Sequence, residues 1–422
     1  MNIRISETKD YFINRDGRKV FYLADTVWSA FSKASIEEWE YYLDYRKSQN
    51  FNVLQINILK QYDAGEKEKQ LVSFNYNEDG SIDFYSFNPA YFQKAQIMLD
   101  MAVKKGFIPA LVVLWGNYVK DTWQAKNDAS MVMPYDAVKP YTEFVIKTFS
   151  EYNPIYLISG DTDFGSDETI RYYKAAMDTI KSLSPSSLTT LHPYYKPDLP
   201  DEIIHSENLD FYMYQSSHSI EGQYACHQHA KHLCNSLVKR PVINGEPCYE
   251  GHGYGFKYGR FSAFDVRKAM WQSVLAGAKA GVTYGAHGIW SWHTKGSAFN
   301  GEAYSSMPYD WKTALYFEGA WDAGYLRWVF ESNDLFDIQP DSEILINETE
   351  EIVVARNESR IVAYIPYNID VKLKIDMSDY ETEMINLSDK KIFKPCISLD
   401  KDISIVRMHD FNSDVLLIGE KK

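Results

Sequence analysis

A parallel (β/α)8 barrel followed by a small antiparallel β-sandwich is the fold class this 422-residue chain predicts. Three observations carry the prediction. Eight apolar, strand-like runs alternate with helical patterns over residues 1–333, the rhythm of a parallel sheet wrapped in helices. Two of those runs, Tyr156–Asp161 and Pro241–Glu246, end in glycine, which lets the backbone turn sharply, followed by one carboxylic acid presented at the strand's carboxyl end. Beyond Asp334 the texture changes to short β runs without a helical pattern. A doubly wound sheet would carry a glycine-rich phosphate turn after its first strand; here that strand runs on into Asp25-Thr26-Val27-Trp28.

The elements follow in order. Strands are predicted over Val20–Ala24, Val53–Ile58, Ile108–Trp115, Ile155–Ser159, Leu188–His192, Phe211–Gln215, Pro241–Asn244 and Val282–Ala286. Helical periodicity covers Ser35–Gln49, Pro89–Lys105, Asp136–Tyr152, Ser166–Leu183, Gly222–Leu237, Ala263–Ala280 and Asp310–Phe330. Ser35 with Glu38 spells a capping box, and Asn88-Pro89 spells N-cap then first helical residue. The stretch after Leu188–His192 is too short and proline-rich for a full helix. In residues 334–422, Ile352–Ala355, Ile361–Ile365, Val371–Ile375, Ile403–Met408 and Val415–Ile418 read as sandwich strands that brace the barrel.

Composition narrows the function. Against 58 Asp+Glu stand 44 Lys+Arg, a net charge of −14, and no basic stripe invites nucleic acid or an anionic membrane surface. No apolar run is long enough to span a bilayer, and the N-terminus has no apolar h-region. Four cysteines in so long a chain make no disulfide framework. A cytoplasmic protein is the expectation. Aromatic residues reach 15%, enough to pack a core and also to offer rings that stack on sugar C–H faces.

In such barrels the working face lies at the strand carboxyl ends. Those positions hold Asp25 and Trp28, Asn57, Trp115 with Asn117, Asp161 and Asp163, His192, Tyr214 with Gln215, Glu246, and His287 with Trp290 and Trp292. No Lys or Arg is among them, which disfavours a phosphate clamp. Asp161 and Glu246, on strands four and seven, face each other across a barrel and can flank a glycosidic bond. One acid must stay protonated to donate to the leaving oxygen; the other must be ionised to attack or to activate water. A gap of about 5–5.5 Å between them gives retention and about 6.5–9.5 Å inversion. Asp163 and Glu250 are rival carboxylates, and Asp25 either holds a sugar hydroxyl or caps the next helix.

The run Cys226-His227-Gln228-His229-Ala230-Lys231-His232-Leu233-Cys234 has no metal-site spacing. On a helix, Cys226, Ala230, Leu233, Cys234 and Leu237 form an ordinary buried stripe. No metal and no cofactor is expected. Gly251-His252-Gly253-Tyr254-Gly255 reads as a loop over the pocket mouth.

With the acid pair placed, the chain resembles the apiosidase-like glycoside hydrolases, family 140 and relatives. Phe21–Trp28, Phe51–Asn57, Ile158–Asp161 and Asn244–Gly251 carry the resemblance, which spans about residues 8–335. It implies a barrel with a C-terminal β-sandwich, retaining hydrolysis, Asp161 as acid/base and Glu246 as nucleophile. It also implies a terminal apiose substrate, on pectic side chains or plant glycosides. The expectation is therefore an exo-acting hydrolase of a small glycoside or oligosaccharide. Asp25, Asn57, Asp163, His192, Tyr214, Gln215 and His287 would grip the sugar or orient the acids, inside a pocket shaped by Trp28, Trp115, Trp290 and Trp292. An arabinofuranosidase or glucosidase-like enzyme, and a carbohydrate-binding protein without turnover, stay open on the residues alone.

Overall fold

The computed structural model describes residues 3–65 and 71–422. Its centre is a ring of parallel strands: β1 (Tyr22–Thr26), β2 (Val53–Asn57), β3 (Ile108–Trp115), β4 (Ile155–Gly160), β5 (Thr189–Thr190), β6 (Tyr212–Gln215), β7 (Val242–Glu246) and β8 (Gly281–Tyr284). Ladders run from β6 through β7, β8 and β1 round to β5. The last seam, β5 against β6, is crossed by the Asp210 N–H to the Thr189 carbonyl at 3.0 Å and by Thr190 Oγ1 to the Phe211 carbonyl at 2.7 Å. The fold is a TIM barrel. Its strands are buried end to end because side chains fill one face and helices cover the other.

Around the ring lie α1 (Ile36–Ser48), α2 (Pro89–Lys104), α3 (Tyr135–Phe149), α4 (Asp167–Leu183), α5 (Ala225–Cys234), α6 (Ala263–Leu275) and α7 (Gly319–Ser332). Local chemistry sets their ends. In α1 the Ser35 hydroxyl accepts from the Glu38 N–H at 3.1 Å and the Glu38 carboxylate accepts from the Ser35 N–H at 3.0 Å, the predicted capping box. Asn88 caps α2 ahead of Pro89. After β5 only the single turn Asp201–Ile204 forms.

Three helices are shorter than their periodicity. α5 stops at Cys234, so Leu237, expected on its buried stripe, stands 98% exposed. α6 stops at Leu275 because Gly277 adopts φ +128°, where a side chain would also meet Cys234 Sγ at 2.7 Å. The pattern read as one helix over Asp310–Phe330 splits into Trp311–Leu315 and α7. The second piece starts where buried Glu250 accepts the Gly319 N–H at 2.9 Å.

Some elements were not anticipated. An N-terminal sheet of Ile3–Ile5, Phe12–Asn14 and Lys19–Val20 precedes β1. It sets Phe12 against Tyr22 and Phe211. A hairpin, Phe74–Tyr76 with Ile82–Phe87, rises from the connection between β2 and α2.

The C-terminal segment forms a six-stranded and a three-stranded antiparallel sheet. The long strand Tyr380–Asn386, absent from the sequence expectation, pairs with Val415–Lys421. Alternation divides the larger sheet. Val362, Tyr364 and Leu416 join the barrel core, while Ile361, Ala363 and Leu417 face a second cluster with the smaller sheet. Arg267 of α6 joins the two regions, donating to Asp322 at 2.6 Å and to Asp414 at 2.5 and 2.9 Å. Among the described residues no helix is long and apolar enough to cross a membrane.

Candidate active site

At the strand carboxyl ends lies a cavity of about 700 Å³, walled by loops from all eight strands. Asp161 and Glu246 both line it. The glycine before each acid serves close approach rather than a turn. A side chain on Gly160 would meet the Trp115 ring at 2.1 Å, and one on Gly245 would meet the Met213 side chain at 2.4 Å. The turn after β4 falls instead on Asp161 itself, at φ +50°, a left-handed conformation that aspartate tolerates better than most residues.

Glu246 sits between two imidazoles. His218 Nε2 lies 2.9 Å from Oε1 and His192 Nε2 lies 3.0 Å from Oε2. The His192 contact is close enough for electrostatic attraction but poorly aligned as a hydrogen bond. The Asp161 N–H donates to His192 Nδ1 at 3.1 Å, so that nitrogen is an acceptor and the ring proton belongs on Nε2, facing Glu246. One imidazole thereby ties the backbone of one acid to the side chain of the other. Burial pushes the Glu246 carboxyl up, but the two histidines outweigh it and hold the group below the ordinary carboxylate range.

Asp161 is shifted the other way. Burial, then the negative charges of Glu246, Asp63 and Asp163, raise its carboxyl well above the usual range, against one hydrogen bond from Gln124 at 3.2 Å. Its backbone carbonyl is held by Gln124 Nε2 at 2.7 Å and Trp123 Nε1 at 3.1 Å. Two acids whose surroundings drive them apart, one toward its protonated and the other toward its ionised form, suit acid-plus-nucleophile chemistry.

The other predicted positions divide. Trp28, Trp115, Gln215 and Trp290 line the cavity. Trp28 donates from Nε1 to the Tyr249 hydroxyl at 3.1 Å and meets Trp115 edge-on at 5.3 Å. Asp25 lies outside the cavity, fully buried, with Arg46 Nε and the Tyr42 hydroxyl each 2.6 Å from Oδ2. Asp163 accepts the Trp123 N–H at 2.8 Å, a strut between the loops after β3 and β4. Tyr214 donates to the Cys226 carbonyl at 2.7 Å. His287 accepts from Trp290 Nε1 at 3.0 Å and donates to the Ser306 carbonyl at 2.8 Å. Trp292 stacks on Trp311 at 4.6 Å and bonds Glu38. Asn57 is buried outside the cavity lining. Glu250 is bonded by the Tyr284 hydroxyl at 2.7 Å and is not part of the cavity lining. Asn117 is also buried away from the cavity wall.

The lining also includes His218, Tyr249, Gln61 and Asp63, none of them a predicted site residue, and His252 of the predicted mouth loop. His218 stands three residues past β6 and Tyr249 three past β7. His252 belongs to the glycine-rich loop over the pocket mouth and stacks on His218 at 4.9 Å. Gln61 and Asp63 sit in the connection after β2, which carries no motif. Burial pushes the Asp63 carboxyl up to about 7. Among the described residues no cluster of three His, Cys, Asp or Glu side chains is disposed to hold a metal.

The family described as "Apiosidase-like, catalytic domain" matches residues 6–337. The chain belongs to that family. The apiosidase-like match spans the whole barrel and both acids, and the protein is a glycoside hydrolase. A solved glycoside hydrolase superposes with TM-score 0.83 at 22% identity, covering 100% of this chain and 97% of the other. A glycoside hydrolase family 5 protein from Bacteroides vulgatus ATCC 8482 gives 0.83 at 21% identity, covering 100% and 93%. An exo-β-1,4-mannosidase from an Opitutaceae bacterium gives 0.53 at 12%, covering 79% of this apiosidase-like chain and 63% of its own. At these identities the likeness is one of fold. No curated protein sequence matches the chain.

Proposed function

We propose that this enzyme is a retaining, exo-acting glycoside hydrolase that releases a terminal pentofuranosyl sugar, apiose, from plant glycosides or pectin-derived oligosaccharides. The observation that carries the reading is the opposed tuning of Asp161 and Glu246 on one cavity. Asp161, protonated, gives its proton to the leaving glycosidic oxygen as Glu246 attacks the anomeric carbon; the C–O bond breaks and a glycosyl-enzyme ester forms. Asp161, now ionised, takes a proton from water, which attacks the same carbon and frees Glu246. His192 and His218 hold the Glu246 carboxylate ionised and aimed.

Exo action is part of the proposal; loops from every strand wall the cavity that would take the terminal sugar. Its volume lies in the range typical of small-molecule sites. The family description supports apiose. The test is sugar release from an apiose-terminated plant glycoside by wild type and by Glu246→Gln, with the anomer of the first-formed sugar read by proton NMR. Apiose released by wild type alone, with retained configuration, is expected. Release of a different sugar overturns the apiose reading, inverted product overturns retention, and an active Glu246→Gln overturns the nucleophile.

A further inference from the structure

Beyond the acid pair, the cavity wall holds acceptor atoms that the described residues leave unsatisfied. The loop after β2 brings Gln61 and Asp63 to the wall. Gln61 is 4% exposed and its Oε1 has no hydrogen-bond partner among the described residues. Asp63 Oδ1, likewise shut from solvent, has none. Gln215, in the wall from β6, is 6% exposed and also leaves Oε1 without a partner among them.

Buried acceptors without donors are costly, so their presence in one cavity calls for a ligand that brings donors. The described lining contains no Lys or Arg, so an anionic ligand has no cationic grip there. A polyol supplies what is lacking, several O–H groups on a small, uncharged frame.

The loop is also held in place before any ligand arrives. Lys33 Nζ donates to the carbonyl of Ala64, the residue after Asp63, and to the Ser291 carbonyl at 3.0 Å, tying the β2 loop to the β8 loop. Gly65 then turns at φ +73°, where a side chain would meet the Ala298 carbonyl oxygen at 2.5 Å. A prearranged pair of acceptors loses little order on binding, which suits selection among sugars.

We propose that Gln61 and Asp63 are the residues that select the sugar: they accept hydrogen bonds from hydroxyls of the terminal sugar ring and thereby decide which ring is taken. The inference rests on this cavity being the sugar site.

The test uses binding rather than turnover. Glu246→Gln is titrated calorimetrically with the methyl glycosides of apiose, arabinofuranose and glucose and with their singly deoxygenated forms. The same titrations follow in Glu246→Gln/Asp63→Ala and Glu246→Gln/Gln61→Ala, which remove the acceptor oxygens, with thermal melting as the check on folding. Should Asp63→Ala not fold, Asp63→Leu carries the same comparison.

In the parent, removing the hydroxyl that meets Asp63 or Gln61 is expected to weaken binding about 10- to 100-fold. In the matching double variant that penalty should vanish, while the intact glycoside should bind correspondingly less tightly. A purely structural role would weaken every ligand alike and leave the deoxy penalties standing, which would overturn the proposal. Absence of binding by any glycoside would overturn it too. If arabinofuranoside or glucoside binds and apioside does not, the apiose reading fails while the pattern of deoxy penalties still judges Gln61 and Asp63.

Discussion

His218 offers the sharpest test of how Glu246 is kept ionised. Its Nε2 lies 2.9 Å from Oε1, and both side chains are largely shielded from water, at 13% and 8% exposure. A hydrogen bond to a charged group contributes about 1.5–3 kcal/mol, and each pKa unit corresponds to about 1.4 kcal/mol. Removing that bond should therefore raise the Glu246 pKa by about 1–2 units, with His192 still in place on the other oxygen. His218→Phe is the substitution of choice, because a ring there keeps the packing against Tyr249 at 4.5 Å and His252 at 4.9 Å. The sign follows from the role. In the proposed mechanism Glu246 must be ionised to attack, so a higher pKa moves the acid limb of the kcat/KM profile up by about 1–2 pH units. The assay is kcat/KM on a chromogenic glycoside, with circular dichroism at each pH to separate titration from unfolding. An acid limb that stays where wild type has it would refute the claim that His218 holds the charge on Glu246.

Asp161→Asn should lower turnover of substrates with poor leaving groups by about 10²–10⁴-fold, and that of an activated aryl glycoside far less in its first step. The same change should stabilise the fold. The Asp161 carboxyl is raised above its unfolded value near 3.8, so as pH rises past that value the folded chain retains a proton the unfolded chain has lost, and stability declines. Thermal melts should show Asp161→Asn gaining at neutral pH, with the gain shrinking to nothing below about pH 4. Gly160→Ala puts a methyl group 2.1 Å from the Trp115 ring; a loss of about 1–3 kcal/mol in denaturant titration is expected, with activity falling as the ring shifts. Asp25→Asn breaks a buried ion pair and should cost about 3–5 kcal/mol, while sugar affinity in the folded enzyme stays unchanged.

What the sequence revealed and what it hid follow one division. The barrel could be read because each strand is an apolar run and each helix an amphipathic one, and both signals are local. Glu38 and Asn88 mark helix starts for the same reason. Tyr380–Asn386 escaped notice because five of its seven residues, Tyr-Glu-Thr-Glu and Asn, are polar or bear a polar tip. Its pairing with Val415–Lys421 is a long-range fact. Asp25 shows the complementary failure. Its place at a strand end suggested a sugar hydroxyl or a helix cap, whereas its partner Arg46 comes from the last turn of α1. No strand-end rule can tell a carboxylate facing the cavity from one facing a guanidinium.

The same division explains the form of the site. The two acids are announced by Gly-Asp and Gly-Glu, and the structure gives those glycines a different purpose from the one their sequence suggests. Neither Gly160 nor Gly245 supplies a positive φ; each is small because a neighbour, Trp115 or Met213, occupies the space a side chain would need. Packing at the barrel rim therefore positions the acids, and the left-handed turn falls on Asp161 itself. The electrostatics behind the proposed donor and nucleophile roles come from elsewhere in the chain. His192 comes from the loop after β5, His218 from that after β6 and Asp63 from that after β2. Each sits in a connection beyond its strand, where no periodic pattern marks it. Strand motifs can name the reacting groups, but the groups that set their protonation are placed by loops, and only the folded barrel brings those loops together.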